Sequence, residues 1–138
     1  MKNFFKSIKL PNFYTLRQAA RENFLDLAAF PYVKLLAGLS LAVVVLSLVF
    51  SYKIIHWSSQ DLLVLHYNVN TGIDLIGGLG SLYILPLLGL VILAANTIAA
   101  MVIERERKFM GYLLLSAALV ANSYLLLSLG LIYIINFR

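Results

Sequence analysis

From Leu35 to Tyr52 the chain reads LLAGLSLAVVVLSLVFSY, without a single charge. A bilayer's hydrocarbon core is about 30 Å thick and takes about 20 helical residues to cross at 1.5 Å each. With Lys53 reaching back toward the headgroups the run extends to Trp57, and Tyr52 and Trp57 suit the interfacial aromatic belt. Pro31 suits the first turn of such a helix, where a missing N–H is no loss. Two further runs repeat the pattern: Leu79–Ile103, with Pro86 near its start, and Phe109–Phe137, uncharged until Arg138. In lipid a backbone must satisfy its own hydrogen bonds, so runs of this length are helices. The expected fold class is an all-α membrane protein with three transmembrane helices, over 32–57, 79–103 and 109–137.

Composition agrees. The chain is 62% hydrophobic and 12% charged, where a soluble domain averages roughly half apolar and a quarter charged. The net charge of +5 does not point to nucleic acid, because the basic residues flank apolar runs and read as topology signals and contacts with anionic lipid. The chain has no cysteine, which excludes a disulfide framework, thiol chemistry and cysteine-ligated metal. The first 30 residues carry Lys2, Lys6 and Lys9 but no uninterrupted apolar segment, so a cleaved signal peptide is not expected.

Residues 1–31 are amphipathic. Phe4, Phe5 and Ile8 oppose Lys2, Lys6 and Lys9, and Pro11 interrupts. The pattern resumes with Leu16, Ala20, Phe24 and Leu27 against Arg17, Gln18, Arg21 and Glu22. Such a basic helix suits the headgroup boundary; the alternative is a helix packed on a partner protein. The ERERK turn, Glu104–Lys108, is so short that spans two and three form an antiparallel hairpin. Basic residues crowd the N-terminal segment and this turn, whereas the loop after span one has Lys53 against Asp61 and Asp74. The positive-inside rule then places the N-terminus and the turn in the cytoplasm, against anionic lipid, and residues 58–78 and the C-terminus outside.

Membrane helices associate through small residues and hydrogen bonds. Counting inward at 1.5 Å per residue sets Ser40, Asn96 and Ser116 at one level, and Ser47 and Asn122 near the midplane close to Gly89. Two polar layers of a three-helix bundle are expected. A translocation path is the functional alternative, but ionisable residues mark such routes and the cores of these spans contain none.

The loop carries what chemistry there is. LLVLHYNV, Leu62–Val69, favours extended chain; Asn70-Thr71-Gly72 supplies a turn; Ile73–Ile76 returns as a second strand. Gly77-Gly78 is expected to break that strand and give a flexible entry to span two. A small extracytoplasmic β-hairpin results, with His66, Tyr67, Asn68, Gly72 and Asp74 as candidate partner- or ligand-binding residues. His66 and Asp74, with His56 more remote, are too few for a zinc site of three or four ligands. A His–Asp dyad could do acid–base work, yet no serine or other nucleophile is clearly placed beside it. Gly77-Gly78-Leu79-Gly80 does not follow a phosphate-loop pattern. No metal, cofactor or catalytic residue is expected.

The order of a span, LHYNVNTGIDLIG (Leu65–Gly77), LPLLGLVILAAN (Leu85–Asn96), a charged turn and a last span resembles a group of small, uncharacterised bacterial three-span membrane proteins. More distantly, His66, Tyr67, Asn68, Gly72 and Asp74 resemble the His-aromatic-Asn…Gly…Asp loop in the membrane domain of SdpI-like toxin-immunity proteins. Such loops commonly carry a proline before the His, where this chain has Val64 and Leu65. The first resemblance implies no activity; the second implies recognition of a peptide or signal at the loop. Two functions follow as expectations. One is a non-catalytic membrane scaffold or accessory subunit, partnered by other membrane proteins or by itself. The other is a sensor or immunity-type protein that binds through the loop between His66 and Asp74.

Overall fold

A computed structural model describes Gln18, Glu22 and residues 30–59, 61–68, 70, 72–102 and 108–137. The amphipathic reading of 1–31 and most of the ERERK turn therefore lie outside the described residues; Gln18 and Glu22 have helical backbone and are exposed.

Helix α1 spans Pro31–Trp57, α2 Ile84–Val102 and α3 Lys108–Phe137. Pro31 stands in the first turn of α1, where Lys34 N–H already reaches the Phe30 carbonyl at 3.3 Å. Segments Pro31–Trp57, Leu79–Val102 and Phe109–Phe137 are each long and apolar enough to cross a membrane. Only 22% of the most apolar window in each is buried. Leu35, Val45, Leu87, Val91, Leu113, Val120 and Leu127 are among the many large apolar side chains left on the surface. Soluble monomers rarely expose contiguous apolar patches above a few hundred Å².

The inward face of α1 combines β-branched apolar residues with serines. Val33, Ser40, Val44, Ser47, Ser51 and Ile54 are the buried residues of α1, three or four apart apart from one double step, and they form one stripe. Helix α3 lies between the other two and packs on both more extensively than they pack on each other. The apolar core gathers at one end, where Ile54, Leu63, Leu82, Leu129 and Ile132 are buried together.

That end carries the hairpin. Strands β1 (Leu62–Asn68) and β2 (Gly72–Gly78) pair antiparallel, from Leu62 opposite Gly78 to Asn68 opposite Gly72. Gly72 closes the turn at φ +82°, a conformation in which only glycine is free of Cβ strain. The expected break at Gly77-Gly78 is corrected: both residues belong to β2, opposite Leu63 and Leu62. A Cβ on Gly77 would run into the Leu65 side chain and stand 3.1 Å from Ser81 Oγ. Gly77 is therefore a site of close packing. The entry to span two is likewise a formed 3₁₀ turn, Leu79–Tyr83, rather than a flexible lead.

Pro86, buried in the first turn of α2, has no N–H to give the carbonyl four residues back, Leu82. Ser51 Oγ donates to that carbonyl instead, across 3.2 Å and from another helix. Ser51→Ala is expected to lower stability by about 1–3 kcal/mol, the cost of stranding a buried acceptor. Ser128, exposed and bonded to Tyr124 O of its own helix, is the control. Its replacement by alanine should change stability by less than about 0.5 kcal/mol. Unfolding of both variants in one detergent measures the difference.

Candidate functional site

The hairpin is fixed to the bundle by one apolar plug and one amide. Leu63, wholly buried, enters the core between Ile54, Leu82 and Ile132. Next to it, Val64 N–H donates to Asn136 Oδ1 at 2.8 Å, and Asn136 Nδ2 donates back to Val64 O at 2.9 Å. The amide side chain thus pairs with β1 as a neighbouring strand would. The other Nδ2 hydrogen reaches Ile132 O at 2.8 Å, which orients the amide from its own helix. Asn136 belongs on this face because buried Ile132 and Leu129 lie four and seven residues before it.

Beyond the seat the hairpin overhangs. Ile73, Leu75 and Ile76 of β2 are all more than half exposed. His66 Nδ1 stands 3.4 Å from Asp74 Oδ2, with both side chains substantially exposed. The hairpin's register on either side, Val64 opposite Ile76 and Tyr67 opposite Ile73, already sets these two across from one another; the pairing is irregular only between those positions. The contact is longer than a charged hydrogen bond of about 2.7–2.9 Å and faces water. His66→Ala is accordingly expected to cost less than about 1 kcal/mol of stability, read from the same unfolding assay. Tyr67 and Asn68 have backbone in β1, opposite Ile73 and Gly72, but their side chains lie outside the described residues. His56 belongs to a different element. Its ring stacks on Tyr52 at 3.9 Å in α1, and its Nδ1 lies 3.0 Å from the Tyr52 carbonyl. Among the described residues no three His, Asp or Glu side chains converge as a metal site would require.

The polar residues inside the bundle are arranged differently from the depth count. Ser40 meets Asn122, whose Nδ2 donates to Ser40 Oγ at 2.7 Å in a buried contact. A Cβ on Gly89 would stand 2.6 Å from Asn122 Oδ1 and 3.3 Å from Val44 Cγ2. The three helices therefore meet at Ser40, Gly89 and Asn122. The expected layer of Ser40 with Asn96 and Ser116 is corrected, as is the pairing of Ser47 with Asn122. Asn96 Nδ2 bonds Ile92 O at 2.9 Å and Ser47 Oγ bonds Val43 O at 2.9 Å, each within its own helix; Ser116 is half-buried. The spans do not start level, since Ser40 meets Asn122 and not Ser116. Asn122 lies six residues past Ser116, so α1 and α3 are offset by roughly 9 Å from a level start.

Asn136 and Ser51 are the positions holding the hairpin end together that sequence reasoning missed. Each is a lone polar residue in an apolar run, a signal shared by several serines that only bond their own helix.

Comparison with protein-family models, with curated proteins and with solved structures finds no match to this chain.

Proposed function

We propose that this chain is a non-catalytic integral membrane scaffold or accessory subunit of a larger or self-assembled complex. In this reading it crosses the cytoplasmic membrane three times and presents the hairpin outside. The observation that carries it is the contrast within the hairpin. β1 is clamped to α3 by Leu63 and Asn136, while β2 leaves Ile73, Leu75 and Ile76 exposed. A rigid seat lowers the ordering cost of binding, and an uncovered strand edge with apolar side chains invites another chain to pair. The N-terminus and the ERERK turn are cytoplasmic by the charge rule, beside anionic lipid, and the C-terminus is extracytoplasmic.

The test is extraction from native membrane in a mild detergent, followed by mass determination. A complex heavier than the 15.4 kDa chain is expected, and Leu75→Glu should dissociate it without reducing abundance. Recovery of the wild-type chain only as a lone monomer would overturn the reading.

The His66–Asp74 contact favours a second reading, a sensor or immunity-type protein that binds a peptide or signal at this loop. His66→Ala and Asp74→Ala separate the two. Loss of a response with unchanged abundance and assembly supports binding; unchanged response removes this reading.

A further inference from the structure

Between α1 and α3, at the hairpin end, lies a cleft of about 180 Å³ lined by Phe50, Lys53, Ile54, Trp57, Tyr133 and Phe137. We propose that it binds an anionic phospholipid, with the phosphate on Lys53 and the start of an acyl chain along Phe50 and Tyr133. The inference rests on the chain being a membrane protein, but not on its being a scaffold.

Three features select this ligand. The first is size. The cleft is smaller than the roughly 300–1,000 Å³ of sites that enclose a compact small molecule, so it suits one end of a longer molecule whose remainder lies outside. The second is the gradient of chemistry along α1. Ile54 is buried and Phe50 half-buried at the floor, while Lys53 and Trp57 stand exposed at the rim. Phe50 and Tyr133 pack at 5.7 Å between ring centres, and Tyr133 stacks on Phe137 at 5.3 Å. These rings make one continuous wall. An apolar floor under an aromatic and cationic rim matches the boundary between acyl chains and headgroups.

The third is charge. Lys53 Nζ lies 5.4 Å from the Trp57 ring and is the one Lys or Arg among the described residues at this end of the bundle. Aromatic rings alone would equally suit a quaternary ammonium, as on a choline headgroup. The Lys53 ammonium repels that cation and attracts a phosphate carrying net negative charge.

Trp57 is the only tryptophan, so its fluorescence reports from the rim of this cleft. The full chain is placed in phosphatidylcholine bilayers doped, at equal mole fraction, with brominated phosphatidylglycerol or brominated phosphatidylcholine. Trp57 should report an enrichment of phosphatidylglycerol over phosphatidylcholine on the order of fivefold, the value of one lysine–headgroup attraction. Lys53→Gln should abolish the preference, whereas Lys53→Arg and, at the far end of α1, Lys34→Gln should keep it. Equal quenching of the wild-type protein by the two lipids overturns the proposal, with no variant needed. Survival of the preference in Lys53→Gln overturns it as well.

Discussion

Asn136→Leu is expected to lift β1 from α3 while leaving the helices packed. The substitution removes three hydrogen bonds, two to Val64 and one to Ile132. At about 1 kcal/mol net each, the local cost is about 2–4 kcal/mol. Leucine has similar bulk but offers no donor or acceptor, so Val64 must turn to water, and Leu63 is drawn from its buried seat. Amide hydrogen exchange reads this directly. Protection at Val64 should fall on the order of a hundredfold, while amides around Ala118, buried in the middle of α3, keep theirs. Asn136→Asp retains an acceptor for the Val64 N–H but loses both donors, so it should fall between. Unchanged protection at Val64 in Asn136→Leu would mean that Leu63 alone seats the hairpin.

The second large effect concerns the junction of the three helices. Gly89→Ala places a methyl group against Asn122 Oδ1 and Val44, and overpacking of this kind costs about 1–3 kcal/mol. In an Asn122→Ala background the obstructing amide is gone. There the same substitution should be neutral, or favourable by up to about 1 kcal/mol because alanine is the better helix former. Asn122 Oδ1 is itself buried without a hydrogen-bond partner among the described residues, so its removal relieves one unfavourable group while losing the bond to Ser40. The expected double-mutant coupling exceeds 1 kcal/mol, measured by unfolding of the four proteins in one detergent. Additivity within about 0.5 kcal/mol would show that Gly89 and Asn122 do not press on one another.

Length and hydropathy made the helices legible, because a run from Leu35 to Tyr52 without a charge has one economical conformation in lipid. Turn chemistry at Asn70-Thr71-Gly72 made the two strands legible for the same local reason. What the sequence hid were relations between distant residues. Asn136 bonds a strand 72 positions away. Ser51 serves a carbonyl exposed by a proline in another helix. Nothing local distinguishes them from Ser47 or Ser128, which bond their own turns. The Gly77-Gly78 pair misled because glycine fits either a broken strand or a close approach, and only the Leu65 side chain decides. The polar layers misled because six residues of offset between α1 and α3 leave no mark on either sequence. At the candidate site the reading of His66 and Asp74 as neighbours came from the hairpin itself; the local irregularity of the pairing around them left no mark on the sequence.

The chain has no cysteine, so single cysteines report position without background. The most direct test is a membrane-impermeant maleimide applied to intact cells carrying Leu75→Cys or Arg105→Cys. Leu75→Cys, on the exposed part of β2, should label from outside, and Arg105→Cys only after the membrane is opened. Labelling of Arg105→Cys in intact cells, with Leu75→Cys protected, would place the hairpin inside and contradict the proposal that it is an outward-facing docking element.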